Sequence, residues 1–464
     1  MGMTRRSFNK IATSSTAAFG LAAFQTQTSQ AKIIGANDRI RVAFVGVANR
    51  GRQVADAFLK CDNMDMVGLC DIDSQTLELA QKRYADRAPK ATLEKDFRKF
   101  LDRDDVDAVV FATPDHWHAF QTIEGCKAGK DIYCEKPVSS TIKEGRMMVQ
   151  AARKYKRVVQ VGIHRRSSPL YRKVAEYNID ELIGHVACAR TAHLSNMYPN
   201  GIGRAQPTTP PASLDWDMWL GPKPIQAYQE NIAPYKFRWW IAYCSQIANN
   251  GVHALDAIRW LLRETAPVSV CAMGGKYIVN DDRTIPDTMQ AIFEFASGRI
   301  VTFSHIESSG NPIMATDEKF NALGRIELRG TQGTLYTYDN HYLIKPERGG
   351  QFQDHKPRMK EVLYTVSGNA GGDSKSKGAQ PRNLNTDITA VHAQNFLDCM
   401  RTREKPRCDI EEGHRSTTMA HMANISLAVK KRLDWDPEKE EFIGCPEANA
   451  LLSYEYRAPW KLEL

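Results

Sequence analysis

Several features that would place the chain in other protein classes are absent. Its ten cysteines include no C-x-x-C pair, and several lie in apolar, strand-like runs, so we expect small buried side chains; a disulfide is the alternative. After the amino-terminal segment described next, no apolar run approaches the roughly 20 residues of a membrane span. No internal repeat occurs. The net charge of +8 includes Arg5, Arg6 and Lys10, and without them 59 basic residues face 54 acidic ones. A scattered excess of this size does not predict nucleic-acid binding.

Residues 1–31 have the pattern of an export signal. Thr4–Lys10 reads TRRSFNK, a twin-arginine pattern, and Ile11–Phe24 is mildly apolar and rich in Ala, Ser and Thr. Ser29-Gln30-Ala31 offers the small residues of a cleavage site, so we expect a periplasmic mature chain from Lys32. A short buried helix or an uncut anchor is the alternative, but the segment is neither amphipathic nor long enough. Twin-arginine export carries folded chains that commonly hold a cofactor already.

The rest of the chain predicts two domains. About 433 residues with 42% hydrophobic and 25% charged composition exceed one ordinary core. Short apolar runs alternate with helical stretches over 38–165, which predicts a Rossmann domain with a doubly wound parallel sheet. Residues 166–464 predict an α+β substrate and oligomerisation domain with a large, mainly antiparallel sheet, against which the C-terminal helices pack back. Its exposed sheet face could support a homo-oligomer.

A glycine-rich turn follows the first predicted strand. Gly46-Val47-Ala48-Asn49-Arg50-Gly51 lacks one glycine of the dinucleotide fingerprint, at Ala48. The turn opens a helix, and Asp71 ends the second strand 20 residues beyond Gly51, as the fingerprint requires. We therefore expect Gly46, Ala48, Asn49, Arg50 and Gly51 to hold a pyrophosphate, and Asp71 to bind an adenosine ribose. An acid there favours NAD over NADP. The alternative for Asp71 is a helix N-cap.

Two further segments follow strands at the edge where this architecture binds ligands. One is Thr113-Pro114-Asp115-His116-Trp117-His118, which follows the apolar run Ala108–Ala112. The other is Glu135-Lys136-Pro137, which follows the run Asp131–Cys134. We expect the nicotinamide half of the cofactor to contact Thr113, Pro114, His116, His118, Glu135 and Lys136. The H-x-H of His116 and His118 could instead suggest a metal, but no carboxylate or cysteine cluster completes a ligand set. The sequence predicts no metal.

These motifs together resemble the Gfo/Idh/MocA oxidoreductases. The resemblance covers nearly the whole chain after residue 31 and its motifs are specific when taken jointly. Residues 409–416, DIEEGHRS, look like the extended C-terminal module of a secreted branch of that family. The other segments that carry it are the turn at 46–51, TPDHWH at 113–118, EKP at 135–137, VG at 161–162 with RRSSP at 165–169, and NNGVHALD at 249–256.

The resemblance implies catalytic roles for Lys136 and His253. The lysine of E-K-P would lie beside nicotinamide and substrate, and His253 would shuttle the hydroxyl proton. The family pattern has a carboxylate four residues before this histidine, whereas this chain has Asn249, which can orient an imidazole but cannot stabilise its charge. Asp256 is on a nearby helical face and could substitute. Without the family, Lys136 and His253 would be an ordinary loop lysine and a structural histidine.

The predicted activity is hydride transfer at a secondary alcohol of a sugar, glycoside or polyol, with tightly bound NAD. Trp216, Trp219, Trp239 and Trp240 favour a carbohydrate ligand, although each could equally pin a loop to the core. We expect Arg166, Tyr171, Arg238, Trp239 and His253 to contact the substrate. A redox-neutral variant would oxidise sugar C3 transiently, eliminate the C1 substituent and return the hydride. The rival from another class is a nucleotide- or sugar-binding protein without turnover, for which Asn249 is the best argument.

Overall fold

The amino-terminal half forms a six-stranded parallel sheet. A computed structural model describes residues 39–311, 316–317, 322–323, 325–366 and 387–464, so the predicted signal peptide lies outside the described residues. The strand order β3-β2-β1-β4-β5-β6 is that of a doubly wound sheet and confirms the predicted fold class. The strands are β1 (Ile40–Val45), β2 (Met64–Cys70), β3 (Thr92–Glu94), β4 (Ala108–Phe111), β5 (Asp131–Cys134) and β6 (Val159–Val161).

Helices cover both faces of this sheet, which explains its apolar strands. Every residue of β4 and β5 is buried, as in parallel sheets covered on both sides. Two helix starts have side-chain caps: Asp73 accepts from the Gln75 amide, and Thr141 forms a capping box with Glu144. The helices are α1 (Asn49–Phe58), α2 (Ser74–Tyr84), α3 (Arg98–Leu101), α4 (Asp115–Lys127) and α5 (Ile142–Lys154).

The second half builds a ten-stranded, mostly antiparallel sheet, again as predicted. Its order is β16-β15-β14-β13-β7-β10-β9-β8-β17-β18, and β7 and β10 pair in parallel. The separate pair β11 (Thr316–Asp317) and β12 (Ala322–Leu323) is antiparallel. The large sheet contains β7 (Val186–Leu194), β8 (Pro267–Gly275), β9 (Thr288–Phe295), β10 (Ile300–Ile306), β13 (Ile326–Gly330), β14 (Gly333–Thr337), β15 (His341–Pro346), β16 (Val362–Thr365), β17 (Leu433–Asp436) and β18 (Glu441–Phe442).

The helices of the second half lie on this sheet and back against the first. Phe396 packs on Phe58, which brings α10 against α1, with ring centroids 6.2 Å apart. A π-helical turn, Ile247–Gly251, immediately precedes α9. The helices are α6 (Pro169–Glu176), α7 (Ile179–Ile183), α8 (Trp216–Leu220), α9 (Val252–Leu261), α10 (Ile388–Thr402), α11 (Ile410–Val429) and α12 (Pro446–Asn449).

The cysteines and the helices bear on two of the expectations drawn from composition. All ten cysteines fall within the described residues and all are free; seven of them are buried, which is the expected behaviour of small apolar side chains. Among the helices that the structure describes, none has the length and apolarity needed to cross a bilayer.

Candidate active site

The glycine turn between β1 and α1 leaves no room for side chains at its two glycines. Gly46 has φ +79°, and an added Cβ would lie 2.8 Å from the Ala112 carbonyl oxygen. A Cβ on Gly51 would lie 1.7 Å from the Gly46 oxygen. Ala48 has φ −81° at the helix N-cap, a conformation open to any residue. The departure from the fingerprint therefore costs the turn nothing.

Asp71 lies where a ribose-binding acid is expected. Its carboxylate accepts hydrogen bonds from the amides of Val47, 3.0 Å away, and Asp73, 3.1 Å away, and it lines the cavity above the glycine turn. The N-cap of α2 is Asp73, so the alternative role of Asp71 as that cap is wrong. Burial raises the pKa of Asp71 to about 6, against the lowering effect of the amides. The group is therefore mainly a carboxylate at neutral pH, able to accept from a diol.

A segment of the second domain covers this cavity, and we call residues 211–238 the covering segment. The amide of Ser74 donates to the carbonyl of Ser213 at 2.9 Å, and the amide of Asp215 donates to the carbonyl of Ile72. Sequence reasoning missed this arrangement because the segment has no clear periodicity. Its residues that line the cavity are Pro211, Leu214, Met218, Trp219, Tyr228, Pro234, Phe237 and Arg238.

The loop after β4 contributes two of its four predicted residues to the cavity, Thr113 and Pro114, but not His116 or His118. Thr113 and Pro114 line the cavity, together with Trp117. His116 and His118 are buried behind it: His116 Nε2 contacts the Trp219 carbonyl at 2.8 Å, and His118 contacts the Pro137 and Thr113 carbonyls at 2.7 and 2.9 Å. The expectation that both histidines contact the cofactor is therefore corrected.

The His118 ring joins the two loops that border the cleft. Both of its nitrogens face carbonyl oxygens, so both must carry protons to donate. Burial alone would lower the pKa of His118, but Cys134, Asp115 and the Pro137 carbonyl outweigh it and raise the pKa to about 9. The charged ring thereby fixes the position of Lys136 relative to Thr113.

Lys136 is held by Asn249 in the π-helical turn. Its Nζ donates to the Asn249 backbone oxygen at 2.7 Å and to Oδ1 at 3.0 Å. Burial lowers the pKa of Lys136, while Glu135 and Asp115 act in the opposite direction. The expectation that Asn249 orients His253 is wrong. The Asn249 side-chain oxygen accepts from Lys136, and its Nδ2 donates to Gln246. Turns of π-helix occur often at functional sites.

His253 lies beside a second histidine that sequence reasoning missed. The rings of His164 and His253 have centroids 5.1 Å apart, and His253 Nδ1 has no hydrogen-bond partner among the described residues. Arg50 contacts Glu135 at 3.0 Å and His164 Nδ1 at 3.3 Å, which links the glycine turn to this pair. Burial, followed by His164 and Lys136, lowers the pKa of His253 well below its usual value. The ring is therefore a neutral imidazole at neutral pH.

Asp256 does not substitute for the missing carboxylate, which corrects that expectation. It is fully buried and accepts from Arg166 Nε and from Ser416 Oγ, at 2.9 and 2.7 Å. Arg166 also binds Glu412, and the Tyr171 hydroxyl contacts Thr337 at 3.1 Å within the core. Arg166 and Tyr171 were expected to contact the substrate, and this expectation is corrected. The polar groups of both side chains bind residues inside the protein, Asp256 and Thr337 respectively.

We expect the substitution Asp256→Asn to reduce stability rather than turnover. It leaves Arg166 buried beside a neutral partner, and breaking a buried pair costs about 3 kcal/mol. Urea unfolding should show the lower stability, while kcat per folded molecule should stay within about twofold of wild type. A collapse of kcat at unchanged stability would instead return Asp256 to catalysis.

A second substitution, Asn249→Asp, should move the pH dependence of turnover. The new carboxylate would bind the Lys136 ammonium, which lowers the pKa of His253, and by offsetting that charge it would raise the pKa of the imidazole by about one unit. Because the neutral ring is the base, the rise of kcat/KM with pH should move to higher pH by the same amount. Asn249→Ala removes the amide without adding charge and should leave the position of this rise unchanged. An identical profile in both variants would remove His253 from the proton transfer.

Of the four tryptophans in the predicted cluster, only Trp219 is among the described residues that line the nucleotide cavity. Trp216 stacks on Trp219 with centroids 4.7 Å apart, and Trp216 and Trp240 donate to the backbone oxygens of Gln226 and Asn231. These contacts pin the covering segment and its continuation. Trp239 instead donates Nε1 to both oxygens of Glu307 at 3.0 Å. Arg238 lines the cavity with its guanidinium 4.3 Å from the Tyr235 ring centroid.

Three family models match this chain and identify the family to which it belongs. Residues 40–163 match the model described as "Oxidoreductase family, NAD-binding Rossmann fold". Residues 229–336 match "GFO/IDH/MocA C-terminal domain", and residues 382–462 match "Oxidoreductase family, C-terminal alpha/beta domain". The chain belongs to the Gfo/Idh/MocA family. Its residues 40–163 form the NAD-binding Rossmann domain that this family model describes.

The Gfo/Idh/MocA fold extends over most of the chain in solved structures. Levoglucosan dehydrogenase in complex with NADH and levoglucosan superimposes with a TM-score of 0.63 at 16% identity, over 86% of this chain and 99% of that one. Aldose-aldose oxidoreductase from Caulobacter crescentus, complexed with glycerol, gives 0.60 at 17% identity, over 85% and 99%. At these identities the likeness concerns the fold alone.

Curated relatives with higher identity match a smaller part of the chain. "Glycosyl hydrolase family 109 protein 2" of Shewanella sp. (strain ANA-3) is 32% identical over 161 residues, which is 31% of this chain and 35% of that protein. A family 109 protein of Shewanella pealeana is 33% identical over 120 residues, 25% of this chain and 26% of that protein. The chain thus spans about a quarter to a third of the length of these relatives.

The residues of this Gfo/Idh/MocA protein fit NAD. The glycine turn provides a cradle that any Cβ at Gly46 or Gly51 would fill, at the N-terminus of α1 where backbone amides favour an anionic pyrophosphate. Asp71 offers a carboxylate at the ribose end of the same cavity. Lys95 and Thr76 line that end too and were missed, since an isolated lysine in a polar loop gives no signal.

Proposed function

We propose that this protein transfers a hydride between NAD and a secondary alcohol of a sugar, glycoside or polyol. The observation that carries the proposal is the proximity of Lys136 to a neutral His253, whose neighbour His164 contacts Arg50 of the glycine turn. A secondary alcohol loses a proton and a hydride when it is oxidised, so it needs a base and a cation close together. The solved neighbours named for levoglucosan and aldoses support a carbohydrate substrate.

Each half of the reaction has its own group in the site. NAD, when bound, accepts the hydride. The Lys136 ammonium, oriented by Asn249, stabilises negative charge on the substrate oxygen as its proton leaves. His253 accepts that proton at an imidazole nitrogen, and its lowered pKa favours release of the proton afterwards.

We propose that the cofactor stays bound between turnovers. The covering segment closes over the ribose end through backbone hydrogen bonds between Ser213 and Ser74 and between Asp215 and Ile72. Release of NAD would require these contacts to break together with the stacked Trp216 and Trp219. A retained cofactor requires that the hydride be returned, either to a second carbonyl substrate or to the same sugar.

The second candidate is the redox-neutral cleavage of a glycoside. It is favoured by the names of the curated relatives, which are glycosyl hydrolase family 109 proteins. Transient oxidation at C3 would acidify the C2 proton and allow the C1 substituent to leave by elimination. Water would then add at C1 as a proton returns to C2, and the hydride would return to C3. Overall the glycosidic C1–O bond is hydrolysed by one water molecule, so no external oxidant is consumed.

The two candidates are separated by following the bound cofactor and the products in one experiment. The purified protein is mixed with a panel of free sugars, polyols and aryl glycosides while the absorbance of reduced nicotinamide is recorded. Lasting reduction that an added aldose reverses indicates net transfer. A released aglycone with the bound NAD still oxidised at the end indicates cleavage. A protein that binds NAD but gives neither result with any member of the panel contradicts both candidates.

We propose that the chain reaches the periplasm by the twin-arginine route. The proposal rests on the TRRSFNK segment at Thr4–Lys10. Replacing Arg5 and Arg6 by lysine conserves charge and should leave the protein in the cytoplasmic fraction, shown by immunoblotting of fractionated cells. The matched change Lys10→Arg should leave export intact. Equal periplasmic amounts of wild type and the double variant would contradict this route.

A further inference from the structure

A second group of polar side chains lies on the large sheet, outside the residues that line the nucleotide cavity. His193 on β7 and His305 on β10 are direct neighbours in the parallel register of the two strands. Glu307 follows two residues after His305, so its side chain is on the same side of the chain. The candidate ligand atoms of the three residues all lie within 4.8 Å of one another.

His305 has an unsatisfied nitrogen aimed into this group. The residue is 2% exposed, and its Nε2 has no hydrogen-bond partner in the part of the chain that the structure describes. Glu307 Oε1 is 3.6 Å away, too far for a hydrogen bond. A buried polar atom left without a partner costs about 1–3 kcal/mol. A bound cation would supply the missing partner.

The distance between His305 Nε2 and Glu307 Oε1 suits a shared metal ion better than a direct hydrogen bond. Two ligands at about 2.0–2.1 Å from a tetrahedral ion are about 3.4 Å apart. The observed 3.6 Å between His305 Nε2 and Glu307 Oε1 is close to this separation. His193 is only partly buried, and its candidate ligand atom lies within 4.8 Å of those of His305 and Glu307.

Glu307 is also held as a ligating carboxylate is commonly held. Trp239 donates to both of its oxygens, and Arg283 donates to Oε2, which leaves Oε1 directed at His305. The same Arg283 guanidinium binds Asp281 through Nε. Such outer hydrogen bonds fix the orientation of a carboxylate in metal sites.

We propose that His193, His305 and Glu307 bind one divalent transition-metal ion of the Zn²⁺ type. Two imidazoles and a carboxylate are a usual three-residue set for a catalytic ion that keeps a position open to ligands from the cleft. This departs from the sequence prediction of no metal, which considered only His116 and His118.

The role of the ion rests on the proposed function. His193 Nε2 is 3.4 Å from Asn250 Nδ2, and the adjacent Asn249 holds Lys136. The ion therefore lies next to the anchor of the proposed catalytic lysine and would bind hydroxyl or carbonyl oxygens of a polyhydroxylated substrate. It would orient the sugar ring and polarise one of its oxygens.

The test is metal binding by the full chain, purified without a histidine tag and treated with a chelator. Titration with Zn²⁺ by calorimetry should give one site per chain, and Co²⁺ should give the visible absorption of a tetrahedral complex. His193→Gln and His305→Gln should each weaken binding at least about 100-fold. His185→Gln, at a histidine with a 63% exposed side chain, is the matched control and should bind as wild type does.

NAD content, measured in every sample, reports whether a variant is folded and keeps the two proposals apart. The ion without NAD would uphold the metal site and remove the proposed function. NAD without any ion, or equal affinities for wild type, His193→Gln and His305→Gln, would overturn the metal site.

Discussion

Lys136→Met should lower kcat by about 10³-fold or more while the protein keeps its NAD. The lysine supplies the positive charge at the substrate oxygen, and such groups in a water-poor site contribute several powers of ten to the rate. Its Nζ is bound only to Asn249 in the described part of the chain, so methionine removes two hydrogen bonds and one charge without cutting into the core.

The measurement is single-turnover reduction of bound NAD by the best substrate of the panel, with NAD content determined in parallel. Lys99→Met is the matched control, because Lys99 is exposed on α3 and should leave the rate unchanged. If Lys136→Met keeps a tenth of the wild-type rate, the charge is not part of the chemical step.

Gly51→Ala should abolish NAD binding. The added Cβ would lie 1.7 Å from the Gly46 carbonyl oxygen. Because that oxygen belongs to the backbone and the Cβ is fixed to the backbone of residue 51, the turn itself must open. The opened turn can no longer direct its amides at a pyrophosphate. We expect no nucleotide in the purified variant, and an affinity at least about 10³-fold lower on titration.

Ala48→Gly is the control for this change, because Ala48 already has an ordinary φ of −81° and should accept glycine with full NAD content. Asp71→Ala provides a second variant in case Gly51→Ala does not fold. It places no side chain in the turn, although it removes the acceptor of the Val47 amide. Because it also removes hydrogen bonds from the ribose to a charged acceptor, worth about 1.5–3 kcal/mol each, NAD should bind about 10- to 100-fold more weakly. Unchanged affinity in Asp71→Ala together with full NAD in Gly51→Ala would place the cofactor elsewhere.

The fold was largely predictable because its strands are encoded locally. Runs such as Ala108–Phe111 and Asp131–Cys134 are apolar throughout, and this pattern has few explanations other than a covered parallel strand. β3 was missed because Thr92–Glu94 is short and partly exposed at the sheet edge. β7 was missed because Val186–Leu194 alternates burial imperfectly and contains Arg190 and His193, whose neighbours come from distant strands.

The site was predictable where function depends on backbone shape or on spacing along one element. Gly46 and Asp71 line the cavity, and Gly51 packs against the Gly46 carbonyl, because their spacing is fixed by the strand–turn–helix unit. Partners across the fold were not predictable: nothing local assigns Asp256 to Arg166, or Asn249 to Lys136. The covering segment was missed for the same reason, since its order comes from contacts with α2 and not from its own sequence.

The most direct test of the central claim is the nucleotide content of the purified wild-type protein. Denaturing extraction after extended dialysis should release about one NAD or NADH per chain, and adding a substrate sugar before extraction should shift the released nucleotide towards NADH, transiently or permanently. A protein that contains no nucleotide and binds neither NAD nor NADP when these are added would contradict the account.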